Sequence, residues 1–114
     1  MSIQIGQFGV PFRLSTNGLD MSAFTKFTLN FTAPDGTTLQ KTELTTNAVS
    51  APAVALVNDP DLGNQSASTY FEFITVVGDF TAAGTWSVCG FAEDATRGLP
   101  TQDDYTFEVL EACT

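Results

Sequence analysis

The sequence predicts an all-β domain in which about seven short strands pack as a two-sheet antiparallel sandwich. Two observations predict this fold. Thr and Phe are abundant, with 10 Phe among 114 residues, and both residue types favour strands. Apolar and polar residues alternate in short segments that turn residues separate, which is typical of half-buried strands. A chain of this length forms one domain, so we expect residues 1–114 to form a single β-sandwich.

The first extended segment covers residues 3–14 and is interrupted. Two glycines and Pro11 break its pattern, so it is either an edge strand or an arm followed by a strand. We call residues 1–10 the N-terminal segment, and we expect it to form an extended arm that reaches a neighbouring subunit. The pair Asn17-Gly18 then signals a turn.

Residues 24–32 form the clearest predicted strand. Its apolar residues alternate and share one face: Phe27, Leu29 and Phe31. The strand is followed by Pro34-Asp35-Gly36, in which the proline fixes φ, the aspartate caps the turn and the glycine supplies a positive φ. We expect residues 38–45 to pair with this strand across the turn.

Residues 47–69 carry weaker patterns. Residues 53–57 are compatible with a short strand, and residues 58–64 have the composition of a loop. Asp59 and Asp61 lie in this loop, so a calcium site is conceivable. However, the spacing differs from that of an EF-hand and the terminal glutamate is absent. We therefore expect a solvated loop and no metal site.

Three further strands complete the predicted sandwich, at residues 70–77, 85–92 and 105–110. Residues 78–84 form a corner between the first two, and residues 97–100 form a turn before the last. The alternation directs Trp86 between the sheets, where we expect it to pack beside Phe107 and Phe71.

The charge balance excludes several partners. The chain carries 4 basic and 13 acidic residues, a net charge of −9, whereas phosphate binding needs clusters of Lys and Arg. We therefore expect no nucleic acid and no membrane as partner. The charge serves solubility; the alternatives are attraction to a basic partner or repulsion between copies. Neither a signal-peptide pattern nor an apolar run of spanning length is present, so we expect synthesis in a cytoplasm.

The two cysteines, Cys89 and Cys113, fit no metal-binding spacing. If the last two strands form a hairpin centred near Gly98, the numbers of paired residues add up to about 196. Cys89 then faces Phe107, and Cys113 lies opposite a residue near Ala83. The two cysteines are therefore several residues apart along the sheet, and the distance between them is too large for a disulfide. We expect both thiols to stay reduced, as in a cytoplasm.

Two sets of residues are candidates for contact with another subunit. Alternation places Cys89, Phe91 and Leu110 together on the outer face of the sheet. They are either scattered surface residues, which are normal, or a contact patch. The second set lies in the N-terminal segment, which is apolar yet broken by glycines: Ile3, Ile5, Phe8 and Val10.

Nothing in the sequence forms a catalytic constellation. The chain has no His, which removes imidazole bases and His metal ligands. In the pairs Glu93-Asp94 and Asp103-Asp104, neighbouring carboxylates point to opposite faces of a strand. The glycine-rich segments lack Lys and a following helix. We expect no enzymatic activity, no cofactor and no metal ion.

Three segments together resemble a known family. They are Leu19-Asp20-Met21-Ser22 with the strand and the Pro34-Asp35-Gly36-Thr37 turn that follow it, Tyr70-Phe71-Glu72-Phe73 with the corner to Trp86, and the closing Tyr105-Thr106-Phe107-Glu108-Val109. Their order and spacing are similar to those of the immunoglobulin-like domain at the N-terminus of tailed-phage baseplate upper proteins, which also occurs alone in small phage virion proteins. Residues 47–69 depart from that family by being longer and richer in Ala. The resemblance implies an immunoglobulin-like antiparallel sandwich.

The same resemblance implies a structural protein of a tailed-phage virion, made in the host cytoplasm. The first expectation is a capsid decoration (cement) protein, a homo-oligomer that binds the major capsid protein or other virion subunits and stabilises the head by mass action. A tail, neck or baseplate component is the first alternative. A carbohydrate- or receptor-binding module is the second, with Phe80 and Tyr70 as candidate aromatic residues, although both are expected in the core.

Overall fold

The computed structural model describes residues 2–16, 18–60, 62–76, 78–100 and 105–111. These residues form ten β-strands and no helix, which confirms the all-β prediction. The strands are β1 (Ser2–Gln4), β2 (Pro11–Ser15), β3 (Lys26–Thr32), β4 (Thr38–Thr42), β5 (Leu56–Asp59), β6 (Gly63–Gln65), β7 (Tyr70–Ile74), β8 (Gly84–Glu93), β9 (Gly98–Pro100) and β10 (Tyr105–Leu110).

The strands form two packed sheets and a separate hairpin. The larger sheet has the order β1-β10-β8-β3-β4, with β9 also paired to β8, and the smaller sheet pairs β2 with β7. β5 and β6 pair with each other. The order β10-β8-β3-β4 opposite β2-β7 corresponds to strands G-F-C-C′ opposite B-E of an immunoglobulin domain. The chain is therefore a β-sandwich with immunoglobulin-like strand pairing.

Aromatic rings fill the space between the two sheets. The ring centroid of Phe12, on β2, lies 5.1 Å from those of both Phe31 and Phe107 on the larger sheet. Trp86 is 3% exposed, and its ring stacks on that of Phe107 with the centroids 6.5 Å apart. This confirms the predicted place of Trp86 beside Phe107, whereas Phe71 pairs its ring with Phe27.

The turn between β3 and β4 forms as the sequence predicts. The N–H of Thr37 donates to Asp35 Oδ1 at 2.9 Å, and Gly36 has φ 90°. β4 ends at Thr42 rather than at residue 45, because local hydroxyl bonds turn the chain. The N–H of Leu44 donates to Thr42 Oγ1, and the N–H of Thr42 donates to Thr45 Oγ1.

The strand count and the sheet directions differ in part from the prediction of about seven antiparallel strands. β1 runs parallel to β10, so the larger sheet is mixed at one edge. The additional strands are short: β1, β6 and β9 have 3 residues each. β5 and β6 pair as a hairpin where the sequence predicted a short strand at 53–57 and a loop at 58–64.

The register of the last strands also differs from the prediction. Phe107 pairs with Trp86 and not with Cys89. The reason is that the chain turns before Gly98, where the N–H of Asp94 donates to the carbonyl of Arg97, and β9 pairs with β8 before β10 does. Cys113 lies outside the described residues, and Cys89 is a free thiol.

Candidate functional site

The outer face of the larger sheet is the side that points away from β2 and β7. Inward positions of β3 and β8, such as Leu29 and Val88, are buried, and the alternate positions point outward. Most described positions on this outer face carry uncharged side chains: Thr28, Asn30, Thr32, Thr38, Gln40, Thr42, Thr85, Ser87, Cys89, Phe91 and Thr106. The charged residues Lys26 and Glu93 pair with each other where β3 begins and β8 ends. Glu108 lies opposite Thr85, and its carboxylate accepts a hydrogen bond from the Thr85 hydroxyl.

Cys89, Phe91 and Leu110 share this outer face, as the alternation predicts. The structure does not bring them into one patch. Leu110 follows Val109, which pairs with Gly84. Gly84 lies seven residues before Phe91, so at 3.4 Å per residue about 24 Å separates the two positions along β8. Their role in subunit contact remains a prediction, and it now concerns two separate places.

Phe91 has a packing role within its own chain. A Cβ added at Gly98 would clash with the ring of Phe91, so the ring lies across the β9 backbone at that glycine. This cover explains why Phe91 is half-buried on an otherwise open face. An aromatic ring that shields a strand glycine in this way stabilises the pairing of the two strands.

The N-terminal segment differs from the expected arm. β1 pairs with residues 108–110 of β10, and Ile3 is 1% exposed within the core. Ile5 packs against that core, and Val10 is half-buried. Of the four predicted contact residues, only Phe8, at 64% exposure, presents a large apolar surface to solvent. Because β1 pairs with β10 of the same chain, this part of the N-terminal segment belongs to the larger sheet.

Three of the four basic side chains form ion pairs within the chain. Arg13 contacts the carboxylates of Glu72 at 2.8 Å and Asp59 at 3.0 Å. Lys41 points inward from β4, and its Nζ lies 2.8 Å from Asp79 Oδ1. Arg97 pairs with Asp94 at 4.0 Å. Among the described residues, Lys26 alone of the basic side chains has no ion pair, so carboxylates dominate the remaining charged surface.

The β5–β6 hairpin lies over the outer face of the smaller sheet. Besides the contact between Arg13 and Asp59, the Ser15 hydroxyl donates to Gln65 Oε1 at 3.1 Å, and the Tyr70 hydroxyl donates to the carbonyl of Val54 at 2.7 Å. The hydrogen bond to Glu72 is the main cause that raises the pKa of Arg13. Burial is the main cause that raises the pKa of Tyr70. The hairpin therefore covers a polar sheet face.

The expectation of a solvated loop at residues 58–64 is wrong for Asp59, whose side chain is only 8% exposed. Asp61 lies outside the described residues. Among the described residues, no three His, Cys, Asp or Glu side chains come close enough together to hold a metal ion. No local sequence pattern links Arg13 to Asp59, because 46 residues separate them.

Three exposed apolar residues were missed by sequence reasoning. Leu44 is 88% exposed, Val57 is 74% exposed and Val54 is 66% exposed. They lie in the turn after β4 and in or beside the hairpin. A short segment without long alternation does not show which side of it faces solvent, so no sequence signal identifies them.

The aspartate carboxylates in three turns accept hydrogen bonds from backbone N–H groups. Asp94 Oδ1 accepts from the N–H groups of Thr96 and Arg97, at 2.8 and 2.9 Å. These hydrogen bonds hold the pKa of the Asp94 carboxyl below its ordinary value, and the bond from the N–H of Thr96 is the largest cause. Asp20 and Asp35 have lowered pKa values for the same reason, with Ser22 and Thr37 as their main donors. Asp94, from the predicted acidic pair with Glu93, thus caps a turn.

These features define a β-sandwich domain in which the outer face of the larger sheet is mostly polar and uncharged, the charged surface is mainly acidic, and the exposed apolar residues are scattered. No helix in the described part of the chain could cross a membrane. No protein-family model matches the chain, and no curated protein matches it.

Proposed function

We propose that the chain is a non-enzymatic structural subunit of a tailed-phage virion, and that it serves as a capsid decoration (cement) protein. The observation that carries this proposal is the resemblance of three segments to immunoglobulin-like virion domains. Each of the three has a structural place in the sandwich. The first forms the β3–β4 turn, the second places Trp86 in the core, and the third is β10.

Exposed apolar side chains support a role in assembly. Phe8, Leu44 and Val57 are each more than 60% exposed, and they lie outside the inward faces of the two packed sheets. Such residues lose contact with water when another subunit covers them, which stabilises the assembled particle by about 25 cal/mol per Å² of buried apolar surface. The partner on the head would be the major capsid protein, with further copies of the chain beside it.

A tail, neck or baseplate component is the alternative, since it would use the same surfaces. Copy number separates the two functions. We would purify particles of the phage that encodes the chain, separate heads from tails, and count the chain in each by mass spectrometry against a labelled standard. Many copies on heads are expected. A few copies confined to tails would overturn the decoration role, and absence from both fractions would overturn the virion role.

The carbohydrate- or receptor-binding alternative loses its candidate residues, because Phe80 is 3% exposed and Tyr70 is 2% exposed. A glycan array with the purified chain tests it directly. Specific binding that a Phe80→Leu variant retains would have to use another surface. Binding to no glycan is the expected result.

A further inference from the structure

We propose that β1 is an exchangeable strand, which leaves β10 of its own chain and takes the same place on β10 of a second copy. The exchange is reciprocal, so each copy of the resulting dimer supplies Ile3 to the core of the other. The inference goes beyond the virion role, because it concerns the purified chain alone and names both the exchanged segment and its partner.

The place that β1 occupies is a complete strand-pairing site at the edge of the larger sheet. β1 runs parallel to β10, with Ile3 opposite Val109 and Gln4 opposite Leu110. The N–H of Ile5 continues this pairing by donating to the carbonyl of Leu110 at 2.9 Å. Every copy carries the same β1 and the same β10 edge, so the site accepts β1 of a second copy through the same contacts.

The attachment of β1 favours exchange over simple detachment. β1 has only 3 residues, and among the strands that the structure describes it pairs with β10 alone. Such an edge strand opens more easily than a central strand such as β8. Ile3 is 1% exposed, so a detached β1 would expose it to water and leave its place beside the core empty. A second β1 restores that burial in both copies.

The linker between β1 and β2 has the properties of a hinge. Gly6 has φ 85° and Gly9 has φ 74°, and a Cβ added at either would meet no described atom within 4 Å. Between these glycines, the N–H of Gln7 donates to the carbonyl of Gln4 at 3.0 Å, and Gln7 Oε1 accepts from the N–H of Gln4 at 3.0 Å. Both bonds lie within the N-terminal segment, so straightening the turn leaves the pairing of β2 with β7 intact.

The opened segment is long enough to reach another copy. The N–H of Gly9 donates to the carbonyl of Thr75 at 2.8 Å, which anchors the linker to the smaller sheet. In an extended conformation, residues 2–8 reach about 24 Å from that anchor. This reach is comparable to the shortest dimension of the domain, 25 Å, so β1 can contact β10 of a copy that lies beside its own.

The composition of the linker fits a second copy as the partner. Residues 2–10 contain no charged side chain, so two linkers that cross place no carboxylates opposite each other, although each copy has a net charge of −9. Phe8 lies in this linker and is 64% exposed. Where two linkers pass each other near the two-fold axis, each Phe8 gains apolar cover that the closed chain lacks.

Disulfide trapping between two differently labelled chains tests the exchange. In chains whose native cysteines are replaced by serine, one sample carries Gln4→Cys and the other carries Leu110→Cys. Both positions are exposed, and they are partners in the β1–β10 register, so their Cα atoms lie within disulfide range. In the matched control, Leu44→Cys replaces Leu110→Cys, because Leu44 is 88% exposed and lies in the turn after β4. Circular dichroism establishes that each variant folds.

Mild oxidation of the mixed samples is expected to give about tenfold more disulfide between positions 4 and 110 than between positions 4 and 44. The reason is that exchange holds the first pair together, whereas the second pair meets only by collision. Peptide mass spectrometry counts both products. Adding Ile3→Ser to the Gln4→Cys chain removes the apolar side chain that fits the core, and the yield should fall to that of the control.

Equal yields for the two pairs, or a yield between positions 4 and 110 that Ile3→Ser leaves unchanged, would overturn the proposal. Neither result alters the number of copies of the chain in virions, so strand exchange and the virion role can fail separately.

Discussion

The ring of Phe71, from β7, fills the space that a side chain at Gly90 of β8 would need. A Cβ added at Gly90 would lie 2.5 Å from Phe71 Cε2, which is closer than atoms in a packed core can approach. The two residues belong to opposite sheets. Gly90 therefore allows the smaller sheet to lie close to the larger one at this point.

The first prediction follows from this contact. Gly90→Ala should destabilise the chain by about 1–3 kcal/mol, the usual cost of overpacking a core. Gly90 is not among the positive-φ glycines, so the cost is steric. Urea unfolding measures it, with the outward-facing Ser87→Ala as control. In the double variant Gly90→Ala/Phe71→Leu the two losses should not add. Additive losses would contradict the proposed contact.

Trp86 is the second test of the core. Trp86→Ala should cost about 3–5 kcal/mol, as for other large aromatic residues in cores. The indole N–H also donates to the carbonyl of Ala82 at 2.9 Å, so Trp86→Phe, which keeps the ring stacking, should cost less. Because the chain has a single Trp, circular dichroism should follow unfolding. A loss below about 1 kcal/mol for Trp86→Ala would show that the ring is not in the core.

The ion pair between Lys41 and Asp79 gives a third prediction. The two side chains are 13% and 6% exposed, and Lys41 Nζ also lies 5.4 Å from the ring centroid of Phe73. Lys41→Met should destabilise the chain by about 3 kcal/mol, because it leaves the Asp79 carboxylate buried without its partner.

The control for this pair is Lys26→Met, which removes an exposed lysine and should change stability by less than about 0.5 kcal/mol. Adding Asp79→Asn to Lys41→Met should recover part of the loss, since the amide oxygen can still accept from the N–H of Val76. Equal effects of Lys41→Met and Lys26→Met would rule out a buried pair. Lys41 also protects the edge strand β4, because an inward-pointing lysine opposes pairing with another chain.

Arg13 attaches the β5–β6 hairpin to the smaller sheet, and its removal should act locally. In Arg13→Met, amide hydrogen exchange in β5 and β6 should accelerate by about tenfold, while the strands of the larger sheet keep their protection. Exchange read out by mass spectrometry at peptide resolution measures this difference. Equal acceleration in all strands would mean that Arg13 supports the whole fold rather than the hairpin.

The lowered pKa of Asp94 predicts a dependence on pH. The folded pKa lies below the ordinary value of 3.8, so the stability that this carboxylate contributes is complete above that value. It is lost as the pH falls through the lower, folded pKa. Asp94→Asn keeps an acceptor but does not titrate, so its stability should fall less steeply below about pH 4. An NMR titration in which Asp94 protonates at or above 3.8 would contradict this.

Local pattern was sufficient for the elements that depend on neighbouring residues. The strand predicted at 105–110 agrees with β10 (Tyr105–Leu110), because strict alternation needs only the segment itself. The turn at Pro34-Asp35-Gly36 was predictable for the same reason, since its φ values and its Asp35 cap are set by the residues in it. Cys89 and Phe91 were placed correctly on the outer face by the same period of two.

Tertiary structure decided what depends on distant segments. Ile3 is buried because β1 pairs with β10 across nearly the whole chain. Tyr70 is buried on an outward position, where its hydroxyl donates to the carbonyl of Val54 in the segment before the hairpin. Asp59 is likewise neutralised by Arg13 from a distant segment. Alternation shows which residues share a face of one strand, but it does not determine which strand pairs beside it or what covers the face. Those choices depend on loop closure and on competition among all the strands, so only the assembled fold decides them.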